Sequence, residues 1–481
     1  MTDPIPPRLA DERRWYTEHA ALLVSTVKWS VLGSVAGVCV GAATRFFLWA
    51  LASSTAFVQN LRLPLPYYAA LPLALPLCVW LIRTFAPTAR GHGTEAVISA
   101  IHRQSGRIDW RVAPVKLLAT VVTLAFGGSV GKEGPCAQIG ASITSLFADL
   151  FRMSPADRRR LVICGIGAGF AAVFGTPISG ALFGIEVLYL GRIEYEVLFP
   201  CVVAGIVSHL VCGVAPPVPI LHESIVAMGK TELVATSIAF GGVCGIAARM
   251  LIESMRGLEK GLRRFENRPY LVAALGGAFL AVFFAVFGTE YAGLGVATID
   301  ASLRGAFHLV LAAFLLKIVA TSVTLESGGS GGIVTPIFFI GSTVGAAFAE
   351  IFHLPVGIFA AFGFVAMLAA AANTPIAAAV MGMELLPGQV GVYAALAAGS
   401  AFLLVGHRSV YASQKIGLSK SAGLDVTLDI EMGELTRAGM TIRDGSLTQR
   451  LHRRRRRDRP PDDPAHGAVP DAKGADDAEE Q

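Results

Sequence analysis

Charge is scarce in this sequence. Asp, Glu, Lys and Arg make up 16% of the 481 residues and hydrophobic residues 53%, whereas charged residues account for roughly 25% of a soluble domain. So little charge excludes an ordinary soluble protein. Nearly uncharged stretches recur at 29–44, 65–82, 271–289 and 344–383, and several reach the ~20 residues that a helix needs to cross a bilayer. The sequence therefore predicts an all-α polytopic membrane protein.

Metal-binding and catalytic patterns are also missing. The seven cysteines occur singly in apolar sequence, without paired or metal-ligand spacing. Glu133, Glu186 and His92 could supply acid-base groups to a membrane-embedded enzyme, but no nucleophile motif, metal-ligand pair or nucleotide-binding loop accompanies them. We therefore expect neither an enzyme nor a metal site.

The C-terminal end differs in composition from the rest of the chain. Arg453–Arg457 form a basic run, and a tail rich in Pro, Asp and Ala follows from Pro460 to Gln481. Such a tail is typical of disorder. A basic run can bind nucleic acid, but beside a membrane domain it is better explained by retention of the C-terminus in the cytoplasm and by contact with anionic lipid. We expect no nucleic-acid partner.

The apolar region contains an internal repeat. The segment 116–142 matches 317–343 at nearly half of its positions, including Lys116 with Lys317 and Pro135 with Pro336. A second pair of segments, which begin Thr-Pro-Ile at 176–178 and at 374–376, follows in the same order. Two matches in one order indicate duplication.

Basic residues flank the two copies unequally. Arginines bracket the first copy on both sides, whereas Arg304 alone stands in the matching loop before the second, and residues 318–407 contain no Lys or Arg. Because basic loops stay in the cytoplasm, the two copies should have opposite orientations. Inverted repeats place the substrate where they meet, near the bilayer midplane.

We predict the following organisation from these features. It comprises a cytoplasmic N-terminal segment (1–21), transmembrane repeat 1 (22–215), a connecting loop (216–232), transmembrane repeat 2 (233–420) and a polybasic, disordered cytoplasmic tail (421–481).

A glycine-rich break marks the start of a helix in each copy. In the first copy it covers 127–135, and in the second 331–336. Glycine lets the backbone leave helical geometry, and proline suits the first turn of a new helix. A helix that begins inside the membrane directs its unpaired N–H groups and positive dipole end at whatever lies in front, which favours an anion. Glu133 stands at the first of these positions, where its carboxylate could occupy the anion position itself and leave when protonated.

Two lysines lie within apolar sequence, Lys116 in the first copy and Lys317 in the second. A charge there is costly unless it faces water or a partner. These side chains could supply positive potential to an anion path, or they could extend to an interface.

Four segments resemble signatures of the CLC family of chloride channels and transporters. Residues 131–135, Gly-Lys-Glu-Gly-Pro, resemble the Gly-Lys/Arg-Glu-Gly-Pro signature, and residues 332–336 resemble Gly-x-Phe-x-Pro. Residues 91–95 match Gly-Ser-Gly-x-Pro loosely, and Tyr411 matches a tyrosine that follows the last span. The resemblance extends over about residues 22–420.

The resemblance implies a homodimer in the inner cell membrane, with a separate pore in each subunit and no cofactor or metal. Chloride and protons would be the transported partners. It further implies that Glu133 blocks the outer anion site and is displaced by anion or by protonation. The backbone at Ile333 and Val334 and the hydroxyl of Tyr411 would bind the anion centrally.

Several positions depart from the family pattern. His92 replaces a serine, so it could bind anion through its ring, or it could turn away and leave the backbone N–H groups to bind. Val334 replaces a phenylalanine, which would reshape the site. Val187 stands where exchangers have an inner proton-transfer glutamate. Glu186 beside it could substitute, but it recurs as Glu384 and could instead be a structural feature of a helix end.

These features favour transmembrane chloride transport, with proton-coupled Cl⁻/H⁺ exchange gated by Glu133 as the first hypothesis. The alternative is a passive voltage- or pH-gated chloride channel, as Val187 suggests. A transporter of fluoride or another anion is a lower alternative, suggested by His92 in place of serine and by the missing inner glutamate, while Tyr411 favours chloride.

Overall fold

The protein is built almost entirely of helices. The computed structural model describes residues 7–61, 64–214, 228–306, 312–435 and 439–450. The described residues form sixteen α-helices, which confirms the predicted all-α membrane fold: α1 Pro7–Asn60, α2 Leu71–Phe85, α3 Thr94–Gln104, α4 Val112–Ala125, α5 Glu133–Leu150, α6 Pro155–Phe174, α7 Pro177–Glu186, α8 Leu198–Cys212, α9 Lys230–Leu262, α10 Pro269–Phe287, α11 Val296–Leu303, α12 Ala313–Glu326, α13 Val334–Phe352, α14 Val356–Ala372, α15 Pro375–Leu385 and α16 Val390–Leu404.

Six of the described helical segments are long and apolar enough to cross a membrane. They are Thr17–Asn60, Tyr67–Phe85, Tyr195–Cys212, Lys230–Phe265, Pro269–Phe287 and Val334–Phe352. Four shorter apolar helices, α4, α14, α15 and α16, accompany them. Short, broken helices at membrane depth are tolerated only where other protein surrounds them, and α14 accordingly has almost every residue buried.

The sixteen helices form two sets of eight that repeat in order. Helices α1–α8 correspond to α9–α16, and the packing repeats with them: α5 lies on α6 as α13 lies on α14, and α1 lies on α8 as α9 lies on α16. Helix α7 packs on its counterpart α15 across the boundary. This arrangement confirms the two repeats predicted from the sequence.

Glycine pairs let the central helices approach closely. A Cβ added to Gly140 of α5 would lie 2.3 Å from the carbonyl oxygen of Gly165 in α6. The second repeat has the same contact, where a Cβ on Gly341 of α13 would lie 2.1 Å from the carbonyl oxygen of Gly363 in α14. Helices in lipid associate largely through such close packing of small residues, so any side chain here would push the helices apart.

The ends of the predicted organisation differ from the structure. Helix α1 starts at Pro7 and therefore includes most of the segment 1–21 that we predicted to precede the repeats. The predicted loop 216–232 lies largely outside the described residues, since 215–227 are not described.

Part of the predicted disordered tail is folded. Strand β1 (Tyr189–Leu190) pairs in parallel with β2 (Lys415–Ile416), and β3 (Leu424–Val426) pairs antiparallel with β4 (Met440–Ile442). Apolar residues explain this order, because Met432 and Ile416 bury their side chains against Leu190. The prediction of disorder from 421 onward is therefore wrong for 421–435 and 439–450. The basic run Arg453–Arg457 lies outside the described residues.

Candidate anion site at the repeat interface

Two glycine turns end α4 and α12 inside the protein. Gly127 has φ +91° and Gly328 has φ +105°, values that side chains rarely adopt, so glycine is required at both positions. After each turn the chain runs a few residues without helix and then starts α5 or α13. The sequence prediction of paired helix breaks is therefore confirmed in the fold.

The segments between the breaks bind each other reciprocally. The N–H of Gly131 donates to the carbonyl of Gly332 at 2.6 Å, and the N–H of Gly332 donates to the carbonyl of Gly131 at 2.6 Å. Side chains repeat the pattern on both sides: the N–H of Ser129 donates to the hydroxyl of Thr324, and the N–H of Ser330 donates to the hydroxyl of Thr123. Each bond has its mirror image, so the axis that relates the repeats passes between the two glycines.

Glu133 reaches across this axis to the N-terminus of α13. Its carboxylate accepts hydrogen bonds from the backbone N–H of Thr335 at 3.1 Å and from the Thr335 hydroxyl at 2.6 Å, and it also accepts from the N–H of Lys132. The residue is only 1% exposed. The first N–H groups of a helix have no partner within the helix, and here a carboxylate occupies the place where they would hold an anion.

The mirror position at the start of α5 holds no comparable group. Val334 corresponds to Glu133, and Gly134 corresponds to Thr335. Both Val334 and Ile333 are fully buried. One repeat therefore supplies the carboxylate and the other supplies the helix N-terminus that binds it.

His92 and Tyr411 lie next to each other beside the start of α5. Their ring centroids are 6.2 Å apart. The backbone of His92 packs directly on α5, because a Cβ added to Gly134 would lie 2.1 Å from the His92 carbonyl oxygen. Nδ1 of His92 and the hydroxyl of the fully buried Tyr411 have no hydrogen-bond partner among the described residues. Two polar groups without partners therefore lie close to Glu133.

The buried lysines fix loops rather than extend to an interface. Both are 0% exposed. Nζ of Lys116 donates to the carbonyls of Ala89 and Gly91. Nζ of Lys317 donates to the carbonyls of Tyr291 and Gly293, its counterparts in the second repeat. Each ammonium thus holds the loop that precedes α3 or α11.

Glu186 and Glu384 each bind the N-terminus of the other repeat's helix. The carboxylate of Glu186 accepts from the N–H groups of Ile376 and Ala377 at the start of α15, and Glu384 accepts from those of Ile178 and Ser179 at the start of α7. A carboxylate at a helix N-terminus is favourable. This reciprocal pair is the helix-end feature that the sequence left open for Glu186.

A cavity of 680 Å³ leads toward the site along the ends of α9, α10 and α12. His92, Glu95 and Ser413 are among the residues that line it, together with arginines such as Arg256. Tyr411 and Glu133 do not line it. Of the five residues predicted for the anion site, all of them described, His92 is therefore the one that lines this cavity.

The structure brings together all the residues predicted for the anion site, namely Glu133, Ile333, Val334, His92 and Tyr411. The sequence did not single out Thr335, although the repeat alignment placed it across from Gly134. It also missed that Gly293-Leu294-Gly295 mirrors Gly91-His92-Gly93. Among the described residues, no group of three or more His, Cys, Asp or Glu side chains could hold a metal ion.

Inverted repeats whose broken helices start inside the protein, with a carboxylate bound at a helix N-terminus between them, are typical of membrane transporters. A family model described as "voltage gated chloride channel" matches residues 73–406. The chain therefore belongs to the voltage-gated chloride channel family, the CLC family that its motifs resemble.

Curated relatives cover most of the chain. The chain is 36% identical over 424 residues to the "Chloride/fluoride channel protein" of Pseudomonas syringae pv. tomato, which covers 84% of this chain and 90% of that protein. It is 28% identical over 378 residues to the "H(+)/Cl(-) exchange transporter ClcA" of Citrobacter koseri, with 72% and 79% covered.

Solved structures show the same fold. A CLC-type fluoride/proton antiporter superposes with a TM-score of 0.75 at 27% identity, over 81% of this chain and 98% of that one. A slow cyanobacterial Cl⁻/H⁺ antiporter superposes with a TM-score of 0.68 at 22% identity, over 78% and 94%. These similarities support anion transport across a membrane for this chain.

Proposed function

We propose that this protein is a proton-coupled halide transporter in which Glu133 is both the gate and the proton carrier. The observation that supports this most is the position of the Glu133 carboxylate at the N-terminus of α13, where Thr335 binds it through both N–H and hydroxyl. A halide needs the same donors, so carboxylate and anion compete for one position.

Protonation decides the competition. An ionised carboxylate accepts strong, charge-assisted hydrogen bonds from Thr335. A protonated carboxyl group binds there more weakly and leaves, and the halide then occupies the terminus. One proton thus moves each time the gate exchanges places with an anion. The backbone at Ile333 and Val334, the hydroxyl of Tyr411 and the ring of His92 form the central anion position in this proposal.

Flux from reconstituted vesicles tests the proposal. The purified protein is placed in liposomes, and halide and proton movement are recorded together across a halide gradient. Wild-type protein should move protons uphill as halide flows. Glu133→Gln keeps the size of the side chain and removes the titration, so it should conduct halide without moving protons.

The matched control is Glu290→Gln, an exposed carboxylate in the short turn after α10, which should behave as wild type. Unchanged proton coupling in Glu133→Gln would refute the role of the gate. Absence of any halide flux in wild-type protein would refute transport itself.

The transported halide has two candidates. Chloride is favoured by the predicted anion site at Tyr411 and by the relatives that are named as H⁺/Cl⁻ exchange transporters. Fluoride is favoured by the 36% identical relative, whose name includes fluoride, and by the fluoride/proton antiporter of similar structure. Flux measured with either halide as the only permeant anion separates them.

A passive channel is the alternative mechanism. The valine at position 187 motivates this alternative. The combined measurement of halide and proton flux tests it, because a channel passes halide without uphill proton movement. We further propose a homodimer in the inner cell membrane, with the basic flanks of the first repeat in the cytoplasm. Cross-linking in native membranes and labelling of cysteines introduced at those flanks test both statements.

A further inference from the structure

Proton delivery to Glu133 from the inner side needs a route. Val187 is fully buried and apolar, and its carbonyl accepts a hydrogen bond from Gln414. Both carboxylate oxygens of Glu186 bind N–H groups of α15. Neither position therefore offers a free titratable group.

The 680 Å³ cavity reaches a different pair. His92 just before α3 and Glu95 in its first turn are three residues apart, and both line the cavity. One oxygen of Glu95 accepts from the N–H and hydroxyl of Ser413. The other oxygen, Oε2, is buried and has no hydrogen-bond partner among the described residues, and the same holds for Nδ1 of His92. Buried polar atoms normally have partners, so these two mark a place where water or protons bind.

The pair continues toward the gate. The His92 carbonyl packs on Gly134, the residue after Glu133. The ring of Tyr411 lies beside that of His92, and its hydroxyl also has no partner with good geometry within the described ranges, although Thr94 interacts with it. His92 thus lines the cavity and also contacts the residues beside Glu133, whereas Glu95 lines the cavity and is bound to Ser413.

The second repeat has no such pair. The glycines at 293 and 295 mirror those at 91 and 93, but the residue between them is Leu294, and Val296 begins α11 without an acid in its first turn. The repeated loop therefore needs neither an imidazole nor a carboxylate for its structure. The polar pair is an addition on the side that carries Glu133.

We propose that Glu95 and His92 form a proton relay between the inner cavity and Glu133. This inference rests on the proposed function. Water in the cavity gives a proton to Oε2 of Glu95, and a second water carries a proton from Glu95 to Nδ1 of His92, because these two atoms are not hydrogen-bonded to each other. The ring then releases a proton from Nε2 through a water at the central position to the Glu133 carboxylate. One proton moves in each step and no electrons are transferred.

The surroundings of the relay are charged. Lys116 on α4 interacts electrostatically with His92. Arg103, Arg256 and Glu431 interact electrostatically with Glu95. The titratable groups closest to the far end of the relay are Tyr411 and Glu133. These four charged groups belong to other residues, so they are still present in variants of His92 and Glu95.

Two substitutions test the relay in the full-length protein in liposomes. His92→Leu installs the residue that the second repeat has at this position. Glu95→Gln keeps an oxygen that can accept from Ser413. Glu95→Gln should retain halide flux within about twofold of wild type. In both variants the number of protons moved per halide should fall about tenfold or more, whatever the halide flux of His92→Leu. Glu95→Asp, which keeps an acid, should restore part of the proton movement.

The control is Glu259→Gln, a carboxylate that lines the same cavity but pairs with Arg263 at 3.0 Å, and its proton-to-halide ratio should equal that of wild type. A wild-type ratio in both His92→Leu and Glu95→Gln would overturn the relay and leave the proposed function standing. A parallel fall of halide and proton flux would also overturn it, because the pair would then bind anion only. If wild-type protein moves halide without protons, the proposed proton-coupled transport is refuted, and the relay is refuted with it.

Discussion

The N-termini of α5 and α13 at the repeat interface have the same backbone arrangement but carry different side chains. Both follow a glycine turn, both begin at corresponding residues, and each is bound to the other through Gly131 and Gly332. Glu133 stands at one N-terminus and Val334 at the other. Both repeats thus have the backbone that forms the proposed anion site, but only the first has a carboxylate at the start of its helix.

The comparison separates structural residues from functional ones. A feature present in both repeats, such as the lysines, the glycine pairs and the glutamates that bind helix termini, is explained by the fold. A feature present in one repeat, such as Glu133 or His92, needs another explanation. Variants made in mirror pairs test this division.

The largest effect should follow removal of the buried ammonium groups. Lys116→Met and Lys317→Met each leave two buried carbonyls without a donor, which should lower the free energy of unfolding by about 2–5 kcal/mol. The two losses should be similar, as measured by thermal inactivation in detergent. Only Lys116→Met should also alter transport in the surviving protein, because Lys116 holds the loop that carries His92. Equal transport in both variants would contradict the functional difference between the two loops.

The glycine pairs should give the next effect. Gly140→Ala and Gly341→Ala place a methyl group against backbone oxygen, and such overpacking costs about 1–3 kcal/mol. Expression and the midpoint of thermal aggregation should fall in both variants. Gly399→Ala in α16, where an added Cβ meets no atom within 4 Å, is the control. A loss of stability in the control as large as in the pair would contradict the packing explanation.

The glutamates at helix termini should have a smaller and purely structural effect. Glu186→Gln and Glu384→Gln weaken the binding of two N–H groups each, at a cost of about 1 kcal/mol. Both variants should keep the wild-type proton-to-halide ratio, measured in liposomes. A fall in the ratio for Glu186→Gln alone would show that Glu186 carries protons.

The smallest effect concerns a contact that only the first repeat makes. Arg103 at the end of α3 donates two hydrogen bonds to Glu431 in the C-terminal segment. The arginine is exposed, and exposed pairs contribute below about 1 kcal/mol. Arg103→Gln should therefore shift the thermal midpoint only slightly, and high salt should shift wild-type protein by a similar amount. A large shift would mean that the segment stabilises the whole domain.

The sequence predicted the features that are local or repeated. The glycine breaks, the duplication and the carboxylate at position 133 are all read from neighbouring residues, and the structure has the breaks and the two repeats where the sequence predicted them. Contacts that depend on long-range placement were not predictable. Arg103 and Glu431 are separated by 328 residues, and no pattern in either segment indicates the other. The buried lysines were recognised, but the carbonyls that bind them become visible only once the loops are folded.

The bond between Glu95 and Ser413 has a consequence for synthesis of the protein. Tyr411 and Ser413 follow α16, so the ribosome makes them after the helices of both repeats. A chain that ends before residue 411 lacks both Ser413 bonds to Glu95 and the Tyr411 ring beside His92, so these contacts form only near the end of synthesis.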